Sequence, residues 1–279
     1  MSTVTITAAD INKLRQMTGA GMMDCRKALT ETNGDFDAAI DWLRKKGQKV
    51  AALRGDRDAK EGVVLAKTTA DNKTGITLCL SCETDFVSKN SDFVAFAQSI
   101  INAAIENNVK SADELNNCSI NGAKIADLVN DKLASIGEKI GISKFERVDA
   151  DYVASYIHGA NRMGVLVGLN KAEAEAGKDV AMQIAAMNPI AVDADSIPAD
   201  VVAREKSIVT DLIKNDPKMA GKPDEMINKI AEGKLNSFFK ENTLTAQAFV
   251  KDGGKTVGEY LKSVNADLKV ISFKRVALG

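Results

Sequence analysis

The apolar positions of this chain change period along its length. From residue 1 to about 55 they recur every three to four positions, the spacing of amphipathic helices. Thr7 with Asp10 three residues on is a capping-box pattern, with Asp in place of the usual Glu, ahead of the apolar pair Ile11 and Leu14. Gly19-Ala20-Gly21 breaks that helix. Met22, Cys25 and Leu29, with Ala28 beside them, predict a second helix on one apolar face, closed by Asn33-Gly34. Asp35 can cap a third, with Phe36, Ala39, Ile40 and Leu43 as its buried stripe and Gly47 as its C′ stop. Residues 48–60, ending in the charged run Arg54 to Lys60, read as a linker.

Beyond it the pattern alternates between strand and helix. Val63 to Thr69 and Thr74 to Cys82 predict two strands around an Asp71–Gly75 turn, and so short a turn implies antiparallel pairing. Phe93, Phe96, Ile100 and Ala104 mark a helix; Ile125, Leu128, Leu133 and Ile136 mark more helix; Ile140 to Val148 predicts a third strand. The order then repeats. Tyr152 to Ile157 and Met163 to Leu169 predict strands joined by His158–Arg162, a helix follows at Val180, Ile184 and Met187, and Leu268 to Val276 predicts a closing strand. Into this second unit is inserted a helical hairpin at about 195–241. Pro198 suits its first helical turn. Its stripes are Val201, Val202, Ile208, Val209, Leu212, Ile213 and then Met226, Ile227, Ile230, Phe238, Phe239, around a turn at Asn215–Pro223. It either folds onto the body or projects towards a partner. The expected class is α+β: three helices over residues 1–55, then two α/β subdomains with antiparallel sheets over 56–149 and 150–279.

With 45% apolar and 27% charged residues, the 279-residue chain has enough apolar surface for packed cores. Lys and Arg number 37 and Asp and Glu 38, so no basic surplus is available to displace counterions from nucleic-acid phosphates. The best apolar run, Met163–Leu169, is far short of the ~20 residues of a spanning helix, and the first ten residues carry no secretion signal. The four cysteines do not form a disulfide framework, which points to a reducing, cytoplasmic setting. Cys79 and Cys82 form a C-x-x-C on a predicted strand, where period two puts them on opposite faces, unsuited to a shared metal.

Motifs for chemistry are few. The single histidine, His158, has no nucleophile elbow to serve, and no phosphate-binding G-x-x-x-x-G-K-[ST] loop is present. Gly19-Ala-Gly21 lacks the third glycine and the preceding strand of a dinucleotide loop. The balance favours a binding protein that is not an enzyme and needs no cofactor. Two segments look like recognition surface. Met22-Met23 offers soft contact groups, or else both belong to the core. Thr84-Asp85-Phe86-Val87 sits between a strand and a helix, where Phe86 either packs on its own domain or faces a partner.

Leu14-Arg-Gln-Met-Thr-Gly-Ala-Gly-Met-Met-Asp-Cys-Arg-Lys-Ala-Leu29, Cys82-Glu-Thr-Asp-Phe-Val-Ser-Lys89, Tyr156-Ile-His-Gly-Ala-Asn-Arg-Met-Gly-Val-Leu166 and Lys255-Thr-Val-Gly-Glu-Tyr-Leu261 resemble, in order and spacing, the signatures of the elongation factor Ts family. The resemblance covers essentially the whole chain. It implies a ubiquitin-associated-like helical domain at the N-terminus. It also implies guanine-nucleotide exchange on elongation factor Tu, with no nucleotide bound by this chain itself. On this resemblance Met22, Met23 and Arg26 contact a helix of the GTPase domain. Asp85 and Phe86, flanked by Thr84 and Val87, approach the Mg²⁺ site of the nucleotide, and Gly137 and His158 match further contact positions. Gln183 stands where relatives often carry His. Longer relatives continue into a C-terminal helical module that also touches the GTPase; this sequence stops at Gly279, so that contact is not expected. Self-association through the hairpin is a further expectation. Competing readings are a peptide-binding adaptor centred on residues 1–50 and a hydrolase with an unrecognised carboxylate site.

Overall fold

The computed structural model describes residues 5–216 and 223–279. Thr7 and Asp10 close the expected capping box: the Asp10 N–H donates to Thr7 Oγ1 at 3.2 Å and the Thr7 N–H to Asp10 Oδ2 at 3.0 Å. This starts α1 (Ala8–Thr18), which ends at Gly19 in the left-handed region. Helices α2 (Met22–Glu31) and α3 (Phe36–Leu53) follow and close over Leu14, Cys25, Ala28, Leu29, Ala39 and Leu43. Two expectations fail here. Helix α3 does not stop at Gly47 but runs six residues further, into the expected linker. Gly47 is a contact residue instead: a Cβ built on it would lie 2.5 Å from the Cβ of Ala134, on a helix described below. Nor does Met22 join the Cys25/Leu29 face; it and Met23 are both exposed.

Strands β1 (Glu61–Thr68) and β2 (Thr74–Cys82) form the predicted hairpin, Glu61 opposite Cys82. After α4 (Asp85–Ser88) and α5 (Ser91–Glu106) come α6 (Ala112–Asn117), a small ribbon of β3 (Ser119–Ile120) and β4 (Ala123–Lys124), and α7 (Ile125–Ile136). Strand β5 (Gly141–Asp149) then pairs antiparallel with β2. The second unit repeats this with β6 (Tyr152–His158), β7 (Met163–Leu169), α8 (Ala174–Met187) and a closing strand that is the last of the chain. Between them lie α9 (Ala199–Lys214), α10 (Asp224–Asn242), the ribbon β8 (Ala248–Phe249) with β9 (Asp252–Thr256), and α11 (Val257–Val264), before β10 (Val270–Ala277) pairs with β7. The sheet orders, β1-β2-β5 and β6-β7-β10, are the same topology twice.

The two sheets stack face to face with helices outside. On β2, Ile76, Leu78, Leu80 and Cys82 face the α5/α7 core, while Cys79 packs with Val64 and Val276 between the sheets. The two sulfurs therefore point to opposite faces, as expected. On β7, Val165, Val167 and Leu169 face α8, and Leu166 meets Val148 and Val153 between the sheets. Strands buried on both faces read as nearly continuous apolar runs. The spacing between sheets is tight: a Cβ on Gly164 would come 2.6 Å from Thr77 Oγ1.

Helices α9 and α10 fold on each other through Val209, Ile213, Ile227 and Ala231. Two helices cover only a narrow stripe, so Ile208 and Leu212, predicted on it, remain exposed. Pro198 precedes α9 as its N-cap residue instead of entering the first turn. Of the predicted turn, residues 217–222 lie outside the described residues. The base of the hairpin is stitched to the body by Ile190 N–H to Asn242 O (2.9 Å) and Leu244 N–H to Ala191 O (3.0 Å). Among the described residues no helix is long and apolar enough to cross a membrane.

Candidate functional site

Where β2 leaves the sheet, Cys82 is still buried and its thiol donates to the Thr84 carbonyl at 3.2 Å. Burial pushes that thiol up to about 12, so it stays protonated. Thr84 N-caps the one-turn helix α4. Successive helical residues point about 100° apart. With Val87 turned into the core, Phe86 is turned out, and it is 85% exposed. Burying its aromatic side chain on its own domain, the ordinary alternative, does not occur. Asp85 pairs with Lys89 one turn on (2.6 Å), and the hydrogen bond and charge of Lys89 hold its carboxyl below the usual range. Asn90 then caps α5, accepting the Asp92 N–H at 2.8 Å.

Gly137 lies beside this turn. It ends α7 with φ +80°, a conformation that suits glycine, and redirects the chain so that Glu138 reaches Thr84. The Glu138 carboxylate accepts the Thr84 N–H at 3.1 Å and its hydroxyl at 2.7 Å. In return Glu83 accepts the Lys139 N–H at 2.6 Å, and also Arg54 Nη1 at 2.7 Å. Lys139 Nζ donates to the carbonyls of Gly55 (2.6 Å) and Arg57 (2.9 Å), tying down the segment after α3. Thr84, Asp85, Phe86, Val87 and Gly137 are thus one constellation. Glu83, Glu138, Lys139 and Arg54 support it. Local pattern could not single these four out, because their partners lie 29 to 84 residues away.

His158 is the last residue of β6, not a turn residue; it is exposed, with Nδ1 3.0 Å from the Tyr156 hydroxyl. Gly159, Ala160 and Asn161 after it all have positive φ, and the Asn161 carbonyl accepts the Val64 N–H at 2.7 Å. Arg162 reaches Glu61 at 3.4 Å, and Glu61 is paired in register with Cys82. The His158 turn and the Phe86 loop are therefore joined along one rim through the start of β1.

Met22, Met23 and Arg26 form a separate exposed patch at the start of α2. Asp24, between them, pairs with Lys46 of α3. This patch connects to the rim through α3, whose Gly47 packs on α7 and whose end carries Arg54. Between the first three helices and the α5/α7 face lies a cleft of about 490 Å³, lined by Met17, Leu43, Phe96, Ile120, Leu128 and Lys132 among others. No group of three or more His, Cys, Asp or Glu able to hold a metal occurs among the described residues.

Gln183 is fully buried on α8. Its Oε1 accepts the Val250 N–H (2.8 Å) and its Nε2 donates to Gln247 Oε1 (3.2 Å) and the Ala248 carbonyl (3.1 Å). It belongs to the packing of the second unit, away from the rim.

Comparison with known proteins assigns this arrangement to a family. Residues 83–279 match the family model described as Elongation factor TS. The chain is 47% identical over 277 residues to the elongation factor Ts of Christiangramia forsetii, spanning 98% of this chain and 99% of that protein. It is 49% identical over 278 residues to that of Flavobacterium psychrophilum, spanning 99% of each. With the Yersinia pestis (strain Pestoides F) protein it shares 45% over 276 residues, 99% of this chain and 92% of the relative.

Proposed function

The chain belongs to the elongation factor Ts family, which carries a nucleotide-exchange role in translation elongation, and from that premise we propose that its partner is elongation factor Tu loaded with GDP and that the Phe86 loop opens the nucleotide site. The observation that carries this reading is Phe86 itself, a large aromatic 85% exposed on a turn whose other side chains are engaged. Leaving such a ring in water is unfavourable unless a partner covers it.

GDP in a translational GTPase is held by a phosphate loop and a Mg²⁺ ion. An exchange factor works by preferring the nucleotide-free conformation, and linkage requires that factor and GDP weaken each other equally. Phe86 fills a pocket present only in the open GTPase. Asp85 and the loop backbone displace Mg²⁺ or its ligands. Met22, Met23 and Arg26 grip the GTPase domain, and the second unit, with His158, holds another domain of the partner. The functional division is then 1–55 for grip, 56–149 for the wedge and 150–279 for the second hold. No bond is made or broken by this chain, it binds no nucleotide or cofactor, and it acts in the cytoplasm.

The test is stopped-flow release of fluorescent GDP from elongation factor Tu, with and without the chain. Saturable catalytic acceleration is expected. Losing a central aromatic anchor costs about 2 kcal/mol or more, which is over tenfold. Phe86→Ala should therefore slow exchange at least about tenfold. A wild-type rate for that variant would sink the wedge, and no acceleration by the native chain would sink the exchange reading.

A further inference from the structure

We propose that Glu138 is a positioning residue for exchange: it holds Thr84, and through Thr84 fixes the direction in which Phe86 points. The proposal rests on the Phe86 reading above and adds a residue to it.

A single turn of helix cannot fix its own orientation, because nucleating one costs more than its few hydrogen bonds return. Helix α4 has four residues. The direction of Phe86 is therefore set by what anchors the turn on either side. On the C-terminal side, Val87 packs half-buried against the core and Asn90 caps α5. On the N-terminal side the chain has left β2, and the Thr84 N–H is not used by the sheet. Glu138 supplies what is missing, with two acceptor oxygens on one residue, at 3.1 Å to the Thr84 N–H and 2.7 Å to its hydroxyl. Two bonds to one rigid carboxylate fix both the position and the rotation of the Thr84 peptide, which one bond would not. Hydrogen bonds to an ionised acceptor are the strong class. The bond from the Lys139 N–H to Glu83 runs the other way, so segments 83–84 and 138–139 each give one carboxylate and receive one. Such a crossed pair resists sliding in either direction.

The physical consequence is preorganisation. A loop already held in its binding shape does not lose that freedom on docking. Releasing Thr84 makes Phe86 sample directions that do not enter the pocket, which lowers the rate at saturation as well as the apparent affinity. A residue that merely stabilised the fold would act whether or not Phe86 were present. A positioning residue acts only through it.

The experiment is the same GDP-release assay, with maximal rate and half-saturation measured for the full chain, Glu138→Ala, Thr84→Val, Phe86→Ala and the double variant Glu138→Ala/Phe86→Ala. Loss of charged hydrogen bonds at Thr84 is expected to lower the maximal rate of Glu138→Ala about tenfold, and that of Thr84→Val by a smaller factor in the same direction. In the Phe86→Ala background, Glu138→Ala should change the rate less than about twofold. An equal loss in both backgrounds, or a wild-type maximal rate for Glu138→Ala while Phe86→Ala is slow, overturns the proposal and leaves the wedge standing. A wild-type rate for Phe86→Ala is the distinct signature that the wedge itself is wrong, and it overturns both.

Discussion

Gly47 is the position where local propensity and tertiary packing disagree most sharply, and the disagreement has a sign. In a helix interior, Gly→Ala is worth about 0.8–1.0 kcal/mol of stability from backbone entropy. If Gly47 were an ordinary helical glycine, Gly47→Ala would stabilise α3 by that amount. The added Cβ would instead lie 2.5 Å from the Cβ of Ala134, with Ala134 Cα and the Asn130 carbonyl oxygen each at 3.6 Å. Carbon atoms rest at about 3.5–4.0 Å, so the overlap is on the order of 1 Å. Ala134 has no rotamer with which to withdraw, so α3 and α7 must separate. Overpacking of this kind costs roughly 1–3 kcal/mol. The steric cost exceeds the entropic gain, and Gly47→Ala should destabilise by about 1 kcal/mol. Gly233, inside α10, has nothing within 4 Å of its would-be Cβ, so Gly233→Ala should stabilise by nearly the full helical increment. The same substitution should therefore act with opposite signs in the two helices.

The assay uses the chain's single tryptophan, Trp42, which packs on the core of the first three helices and reports their unfolding. The protein has several distinct cores, so a local probe is safer than a global two-state fit. For a unit as small as the first three helices, a loss of about 1 kcal/mol corresponds to a fall of about 4–8 °C in the midpoint that Trp42 reports. Gly233→Ala is followed by circular dichroism. Adding Ala134→Gly to Gly47→Ala restores the room and should return the midpoint close to that of the native chain. A rise in the Trp42 midpoint for Gly47→Ala alone would refute the packing of α3 on α7.

Gln183→Ala removes the acceptor of the Val250 N–H and the donor to the buried Gln247, and opens a cavity where Gln183 is fully buried, so it should cost about 2–4 kcal/mol in thermal unfolding while the maximal exchange rate of the folded protein is unchanged; a loss below about 1 kcal/mol would contradict the observed network. Glu83 is held below the ordinary carboxylate range, first by the Lys139 N–H and then by Arg54. A depressed folded value means its contribution is complete above the ordinary range and disappears as pH falls through the depressed value. Arg54→Ala should therefore raise the Glu83 titration midpoint, read by carboxyl NMR, and begin the loss of Lys139 amide protection at a higher pH; an unmoved midpoint would show that Arg54 contributes nothing there.

Most of the elements were legible in the sequence because each carries its own period. The alternation along β2, the short apolar run of β7 and the helical spacing of α5 and α8 survive into the structure, and so does the repeat of hairpin, helix and closing strand. What local pattern could not supply was the partner of each surface. Gly47 follows a charged run and resembles a helix stop; only the presence of α7 against it shows otherwise. Met22 keeps the spacing of Cys25 and Leu29, but helical side chains lean towards the N-terminus, and at the first position no preceding turn lies beneath to be covered. Ile208 and Leu212 share the apolar stripe of Val209 and Ile213, but α9 packs on the single helix α10, which covers the latter pair and leaves the former exposed. The clamp at Thr84 was invisible because Glu138 lies 54 residues away, with nothing in its neighbourhood to mark it.

The stacked sheets give a physical reason for these particular surfaces to share one body. A binding partner shifts a conformational equilibrium only by the difference between its affinities for the two states. On the proposed mechanism, Phe86 must fit the open GTPase and clash with the closed one. A loop free to adapt would bind both and lose that difference, so stiffness is what converts contact into exchange. The rim has that character. The Phe86 loop is held by crossed carboxylates, and β1 links its base to the His158 turn through Glu61 and Val64. Behind both, glycines such as Gly164 let the sheets approach too closely to slide without clashes. Displacing the Phe86 loop relative to the second unit would therefore require parting a packed interface, and protein interiors resist that far more than an exposed loop does. The α2 patch reaches the rim through α3, so the stability of the Gly47 contact bears on whether grip and wedge act as one ligand or as two.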